Sequence, residues 1–526
     1  MDIVIKNGTI VDGTGAPSFR GDIGVYDQKI VKIGTGIEGR EARVIDVKGM
    51  IVSPGFIDMH THSDLSLFKY PQDREKIRQG VTTALLGQDG LSVAPIDIAN
   101  MEYMKKRVRG LLGDYLETWP WHTTGEYLRE LERTRPATNN LMLVPHGSLR
   151  AMTVGWEARL ARNSEIDKMK DILSCSLNEG GVGFSSGLVY TPAAYAGRVE
   201  LVELCRTAAS LGGFFVVHIR DESSNLKRAI DEVIGICLEA DCPLHISHFK
   251  VGGKENLGRS PEFLQLIDDA GQRGLDISFD QYPYPAGSTM LDAIMPPELH
   301  KGGTRNLLDK LKQDQVRSHL RGVFAKPSDK WENLVYVYGW DKIMVTAVGG
   351  IKNKGLEGYY ISDLAASLKK DPVDLVADLL VEEEGQVTMA VFFGREDDVE
   401  TIMSHKAMCV CSDGILGGKP HPRLYGSFPR VLGRYVRSRK VMSLEEAIKK
   451  MTGNPARRLN LKKRGLLKLG MQADITIFDL EKIVDRGTFQ DPCQFPEGVT
   501  HVLVNGVLAL DEGLLTVNRN GQVITG

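Results

Sequence analysis

The sequence predicts an α/β protein: a closed (β/α)8 barrel joined to a small β domain that the two ends of the chain build together. Three observations carry that expectation. Short apolar, β-rich runs alternate with amphipathic helical stretches through the middle of the chain, the order of a parallel α/β fold. Eight such runs can be marked, the number that closes a barrel. The first and last segments have a different texture, short strands broken by Gly and Asn-Gly turns. A length of 526 residues suits one large barrel with smaller additions.

Residues 1–52 read as strands and tight turns in IVIKNG, TIVDG, RGDIGVYDQKIVKIG and RVIDVKGMIVSPG. Within 456–526, ADITIFDLEKIVD and HVLVNGVLALDEG share that texture, and Asn7-Gly8 recurs as Asn505-Gly506. Neither block makes a stable sheet alone, so the two are expected to pair into one domain. Between them, in 53–455, the expected barrel strands are FIDMHTH (56–62), VTTALLG (81–87), LMLVPHG (141–147), GVGFSSG (181–187), FFVVHIR (214–220), PLHISHF (243–249), LDISFDQYPY (275–284) and MCVCSDG (408–414). Stretches such as EIDKMKDILSCSLNEG and VELVELCRTAASLG separate them, with apolar residues three and four apart. Residues from about 286 to 349, with Pro-Pro, basic and Trp-containing segments, exceed an ordinary βα loop and are expected to form an insertion over the barrel mouth.

Composition narrows the function. Hydrophobic residues at 42% and charged residues at 25% are ordinary for a globular chain, which excludes disorder, collagen-like repeats and coiled coils. Lys+Arg 65 against Asp+Glu 68 leaves a net charge of −3, too balanced for a nucleic-acid partner; a small-molecule substrate, anionic or not, fits. The start MDIVIKNGTI lacks a basic segment followed by an apolar core, and no stretch reaches the roughly 18 apolar residues of a membrane span. A cytoplasmic protein with no membrane partner is expected. Its seven cysteines form no CxxC pair, in keeping with reduced thiols, and Cys409 and Cys411 read as buried thiols of a strand.

Reactive groups of a (β/α)8 barrel sit at the C-terminal ends of its strands. His60 and His62 end the first run, Asp89 follows the second, His218 and His248 end the fifth and sixth, and Asp413 ends the eighth. Each is ordinary alone; their shared placement is the signal. Imidazole and carboxylate are donors suited to zinc, and residues i and i+2 of a strand point to one face. Hydrolysis at such a centre needs a group that takes a proton from water and returns it to the leaving atom, and Asp413 is the candidate. His122, His300, His319, His405 and His501 fall in helical, inserted or peripheral contexts and read as structural.

At the N-terminal block the run IVSPGFIDMHTHSD, and near the other end RGLLKLGMQADITIFD, resemble the amidohydrolase superfamily. More closely, GVGFSSGLVYTPAAYA, HIRDE, HISHFK, FDQYPYPAGST, CSDG, HPRLYGSFPRVLGRYV and MTGNPARRLNL resemble the N-acyl-D-amino-acid deacylase family over nearly the whole chain. The resemblance implies a barrel with a β-sandwich built from both termini, and zinc-dependent hydrolysis of N-acyl-D-amino acids to a carboxylate and a free D-amino acid. It implies His218 and His248 as principal zinc ligands and His60 and His62 as a pair for a second, weaker site, hence one or two zinc ions. Asp413 matches the catalytic acid/base, placed among the metal donors. Tyr190, Lys250 and Arg423 match holders of the substrate's α-carboxylate, and Tyr282 a residue near the acyl carbonyl. One departure stands out. The family pattern after the second strand is Gly-Asn-Cys-Gly with a metal-binding thiolate, whereas this chain has Gly87-Gln88-Asp89-Gly90. Asp89 is expected to ligate as a harder, less polarisable donor.

The segment AGSTMLDAIMPPE contains no Arg or Lys to meet an acidic side chain, which favours neutral or apolar substrates such as acylated D-Leu, D-Met or D-Phe. Other readings stay open. A cyclic-amide hydrolase of the dihydroorotase or hydantoinase kind typically uses a carboxylated lysine on the fourth strand, and GVGFSSG has none. A deaminase would use a Glu near the metal, and Glu222 follows His218 by four residues. A non-catalytic amidohydrolase-like binding protein would tend to lose ligands that this chain keeps.

Overall fold

The computed structural model describes residues 1–39 and 41–526. Both ends of the chain meet in one nine-stranded sheet, ordered Leu514–Leu515, Val507–Asp511, Val499–Val504, Ile475–Phe478, Ile51–Pro54, Ile3–Ile10, Phe19–Tyr26, Lys29–Gly34, with Arg43–Asp46 also pairing Ile3–Ile10. The junction is Ile51–Pro54, which runs parallel to Ile3–Ile10 and antiparallel to Ile475–Phe478. Ile5, Ile23, Val25 and Ile45 from one end share a buried core with Ile475, Ile477 and Leu503 from the other. Removing that apolar surface from water is what joins two segments over four hundred positions apart.

The barrel strands are Phe56–Asp58, Val81–Leu86, Asn139–Met142 continued by Val144–Pro145, Phe184–Gly187, Phe215–His218, Leu244–Ile246, Ile277–Gln281 and Met408–Val410. Neighbours pair in parallel throughout. At the third strand, Leu143 N donates to Leu86 O and Val144 N to Gly183 O, so it links both of its neighbours. First and last strands meet past their formal ends, where Asp413 N donates to His60 O (2.8 Å) and His62 N to Gly414 O (3.1 Å). The two-residue period places Cys409 and Cys411 in one buried cluster with Ile57, Leu85 and Leu141, while Met408 and Val410 fall in a separate one. Both of these cysteines are free and buried.

The excursion at the mouth is longer than the expected 286–349. After Ile277–Gln281 the chain forms a three-stranded antiparallel sheet, Ala286–Met290, Val387–Phe392 and Ile343–Val348, with helices that include Thr304–Leu311, Asp314–Phe324, Ile361–Leu368 and Pro372–Glu382. It has its own core, in which Leu307, Leu320, Ile361 and Leu380 are buried. The correction has a local cause: residues 361–392 carry two amphipathic helices and an apolar strand, the same texture as a barrel repeat. The chain returns through the helix Glu396–Ser404 to the last strand, Met408–Val410. Among the described residues no helix is long and apolar enough to cross a membrane.

Candidate metal centre

Six donors converge where the strands end. His60 and His62 leave the first strand with ring centroids 5.2 Å apart. His248 follows the sixth strand, and its N–H donates to Asp280 Oδ1 at 2.6 Å. His218 closes the fifth strand, its ring 4.5 Å from that of His248. Asp89 occupies the turn after the second strand at φ +56°, a left-handed conformation that Asp tolerates better than most residues. The preceding Gly87 has φ +78°, and a Cβ there would lie 2.2 Å from Leu143 O, so the turn that presents Asp89 requires glycine. Gln88 ties the turn down by donating to Met59 O and Leu85 O.

Asp89 lies at the centre. Its Oδ2 is 3.5 Å from His60 Nε2 and 3.6 Å from His62 Nε2, and its Oδ1 is 3.7 Å from His248 Nε2. Asp413 Oδ1 stands 3.3 Å from His62 Nε2 and 3.6 Å from His60 Nε2, while its Oδ2 is 2.8 Å from Arg423 Nη1. His60, Asp89 and His248 form one set with donor atoms within 4.8 Å of each other; His60, His62 and Asp413 form another. A third set joins His218 and His248 to Glu222, which enters the sequence reading only through the deaminase alternative. Its position four residues after a ligand histidine was the available signal. Glu222 holds Lys250 Nζ at 2.6 and 2.7 Å and lies 3.1 Å from His248 Nδ1.

The remaining expected residues surround the same cavity of about 290 Å³, which His62, Asp89, His218, His248 and Asp413 also border; His60 is fully buried beside them. Tyr190 hydroxyl pairs with Thr289 Oγ1 at 2.8 Å, and Tyr282 hydroxyl is buried with no hydrogen-bond partner. The Arg423 guanidinium stacks 4.5 Å from the Tyr282 ring and donates to Ser288 O at 2.8 Å. His421, unmarked in the sequence reading, accepts the Arg423 N–H at 3.0 Å on Nδ1 and contacts Ala286 O at 2.9 Å through Nε2, tying the excursion to the site.

Burial and neighbouring charge shift several of these groups in opposite directions. Burial opposes ionisation of Asp413, but Arg423 with His60, His62 and His248 more than offsets it, leaving the carboxyl well below the usual carboxylate range. Asp89 is held down in the same way, burial being outweighed by His60 and His248. Burial drives His218 down to about 4. For His248, burial and Lys250 work against the proton, yet Glu222 and Asp89 raise it to about 10. These donors suit a divalent ion. Both ring nitrogens of His60, Nδ1 of His62 and of His218, and Oδ1 of Asp89 are buried without hydrogen-bond partners, a cost that an ion bound among them removes. Imidazole nitrogen and carboxylate oxygen are zinc donors.

The Amidohydrolase family matches residues 43–509. Across 526 residues the chain is 35% identical to the D-aminoacylase of Alcaligenes xylosoxydans xylosoxydans, covering 100% of this chain and 97% of that one. It is 34% identical to the N-acyl-D-glutamate deacylase of the same organism, over 96% of this chain and 93% of that one. A crystal structure of N-acyl-D-glutamate deacylase from Bordetella bronchiseptica, complexed with zinc and a phosphonate mimic of the tetrahedral intermediate, superposes with a TM-score of 0.84 at 33% identity, covering 100% of both chains.

The central position of Asp89 generates a test. Asp89→Ala is expected to lower zinc affinity by at least about tenfold, as a metal titration against a competing chelator would read; an unchanged affinity would remove Asp89 from the ligand set.

Proposed function

Given that the chain belongs to the amidohydrolase family, we propose that it is a zinc-dependent hydrolase that cleaves N-acyl-D-amino acids to a carboxylate and a free D-amino acid. The observation that carries this reading is the convergence of Asp89, four histidines and Asp413 at one cavity, which all of them except the fully buried His60 line together with Lys250 and Arg423. The names of full-length relatives support the same substrate class.

His60, His62, Asp89, His218, His248 and Asp413 are the residues to hold zinc, and when bound the ion supplies a Lewis acid that polarises the acyl carbonyl and acidifies a water. Asp413 accepts the proton that water loses as it attacks the carbonyl carbon. The same carboxyl then gives that proton to the nitrogen as the C–N bond breaks, so one group serves as base and acid. Its Oδ2 is engaged by Arg423, which fixes the carboxyl, while Oδ1 faces the imidazoles. The unpartnered Tyr282 hydroxyl is available to donate to the acyl oxygen as negative charge grows there.

Lys250 and Arg423, with the Tyr190 hydroxyl, hold the α-carboxylate, sharing the cations with Glu222 and Asp413. With carboxylate and scissile amide both anchored, the direction left for the side chain decides between D and L. On the excursion side, Met295, Pro297, Leu334 and Val391 face the cavity, together with the carboxyls of Glu298 and Glu332. Of the further lining cations, Arg220 is paired with Glu232 and Lys330 is exposed to solvent. Neutral or apolar side chains therefore suit the site. The fourth strand, FSSG, offers no lysine to bridge metals, and its Ser185 is engaged with Gly87 O, so the cyclic-amide alternative finds no support there. All seven cysteines are free, in keeping with a cytoplasmic setting.

The zinc-loaded protein should release acetate from N-acetyl-D-Met and leave N-acetyl-L-Met intact, with kcat/KM for N-acetyl-D-Glu lower than for N-acetyl-D-Met. Cleavage of the L form, or of cyclic amides in its place, would overturn the assignment; preference for D-Glu would overturn the side-chain reading alone. Asp413→Asn is expected to cut kcat by roughly 10²–10⁴-fold with zinc still bound, and near-normal turnover would exclude Asp413 as the acid/base.

A further inference from the structure

A second ionic cluster lies at the seam between the first and last barrel strands, and it contains none of the metal donors. Asp58, Lys76 and Ser412 are each fully buried. Asp58 Oδ1 accepts the N–H of Ser412 at 2.8 Å and of His60 at 3.3 Å. Its Oδ2 accepts the Ser412 hydroxyl at 2.6 Å and the Lys76 ammonium. Lys76 Nζ also donates to Ser412 Oγ at 2.6 Å, and Gly414 N donates to the same oxygen at 3.1 Å. Lys76 comes from the short helix Arg74–Ile77, outside the barrel strands.

What this cluster grips matters. Asp58 precedes His60 by two residues, and Ser412 is covalently next to Asp413. Strand pairing at the seam is sparse: one isolated parallel bridge, Thr61 with Gly414, and the two backbone bonds already described. One carboxylate therefore ties the backbone of the His60–His62 arm to the backbone of the Asp413 arm, and the ammonium neutralises that carboxylate in a place water does not reach. A lone buried charge would be costly, so Lys76 and Asp58 act as a unit.

We propose that Lys76, through Asp58 and Ser412, is a positioning residue for the reaction: it sets the spacing between Asp413 and the His60–His62 pair, and so governs turnover and not substrate affinity. The inference rests on the deacylase reading above. Lys76→Met alone strands Asp58 as a buried charge and is expected to unfold the protein, which says nothing about catalysis. The informative variant is Asp58→Asn/Lys76→Met, in which both charges are gone and no buried ion is left unpaired.

The experiment measures thermal midpoint, zinc per chain, KM and kcat on N-acetyl-D-Met for the holoenzyme and this double variant. Expected are a midpoint and zinc content close to wild type, KM within about twofold, and kcat lower by about 10–100-fold, the loss that a misplacement near 1 Å causes. A folded, zinc-loaded double variant with wild-type kcat overturns the proposal, and so does one whose loss lies in KM. If the double variant does not fold, Ser412→Ala decides by the same readings, since it removes only the hydroxyl that joins Lys76 to the Asp413 arm. Inactive wild-type holoenzyme would instead reject the deacylase reading, so the two failures are distinguishable.

Discussion

The chemistry at the barrel mouth depends on how the first and last strands meet. Every other pair of neighbouring strands is held by a parallel ladder or by main-chain bonds within one. Here the contact lies beyond the strands' formal ends, at His60, His62, Asp413 and Gly414. That contact places Asp413 Oδ1 3.3 Å from His62 Nε2. Asp280, from the seventh strand, adds a brace by accepting both the His248 N–H and His245 Nε2. The donor geometry is thus a property of barrel closure, supplied by segments that are remote in sequence and rigid in space.

Charge concentration follows from that closure. Asp89, Asp413 and Glu222 stay ionised despite burial because imidazoles, Lys250 and Arg423 face them. Protein groups alone leave several imidazole nitrogens unpartnered, so the fold is electrostatically prepared for a dication. Where the resemblance implies a metal-binding thiolate, this chain places the Asp89 carboxylate among the imidazoles, an oxygen donor harder than sulfur. Because its two oxygens face different imidazoles, Asp89 connects the His60–His62 side with the His218–His248 side.

Much of this was legible in the chain itself. Barrel strands announced themselves as apolar runs, and the ends of those runs carried His60, His62, Asp89, His218, His248 and Asp413 because side chains at strand ends must face the mouth. The extent of the excursion was not legible, since helices 361–368 and 372–382 have the periodicity of barrel helices while packing on a separate core. Glu222 was visible only as spacing. Its tie to Lys250 joins the ends of two neighbouring strands, and pairing across strands leaves no local mark. Lys76 and Asp58 were hidden for a related reason: a lysine in a short helix and an aspartate in a strand look solvent-facing until closure buries both. His421 reads as part of a basic segment, and only the fold shows that it holds Arg423 and the excursion together.

Crystallographic anomalous scattering at the zinc edge tests the central claim most directly. A zinc-loaded crystal is predicted to show its anomalous peak enclosed by Asp89 and the His60, His62, His218 and His248 imidazoles, with Asp413 at its edge. A peak elsewhere, or none at full zinc loading, would contradict the account.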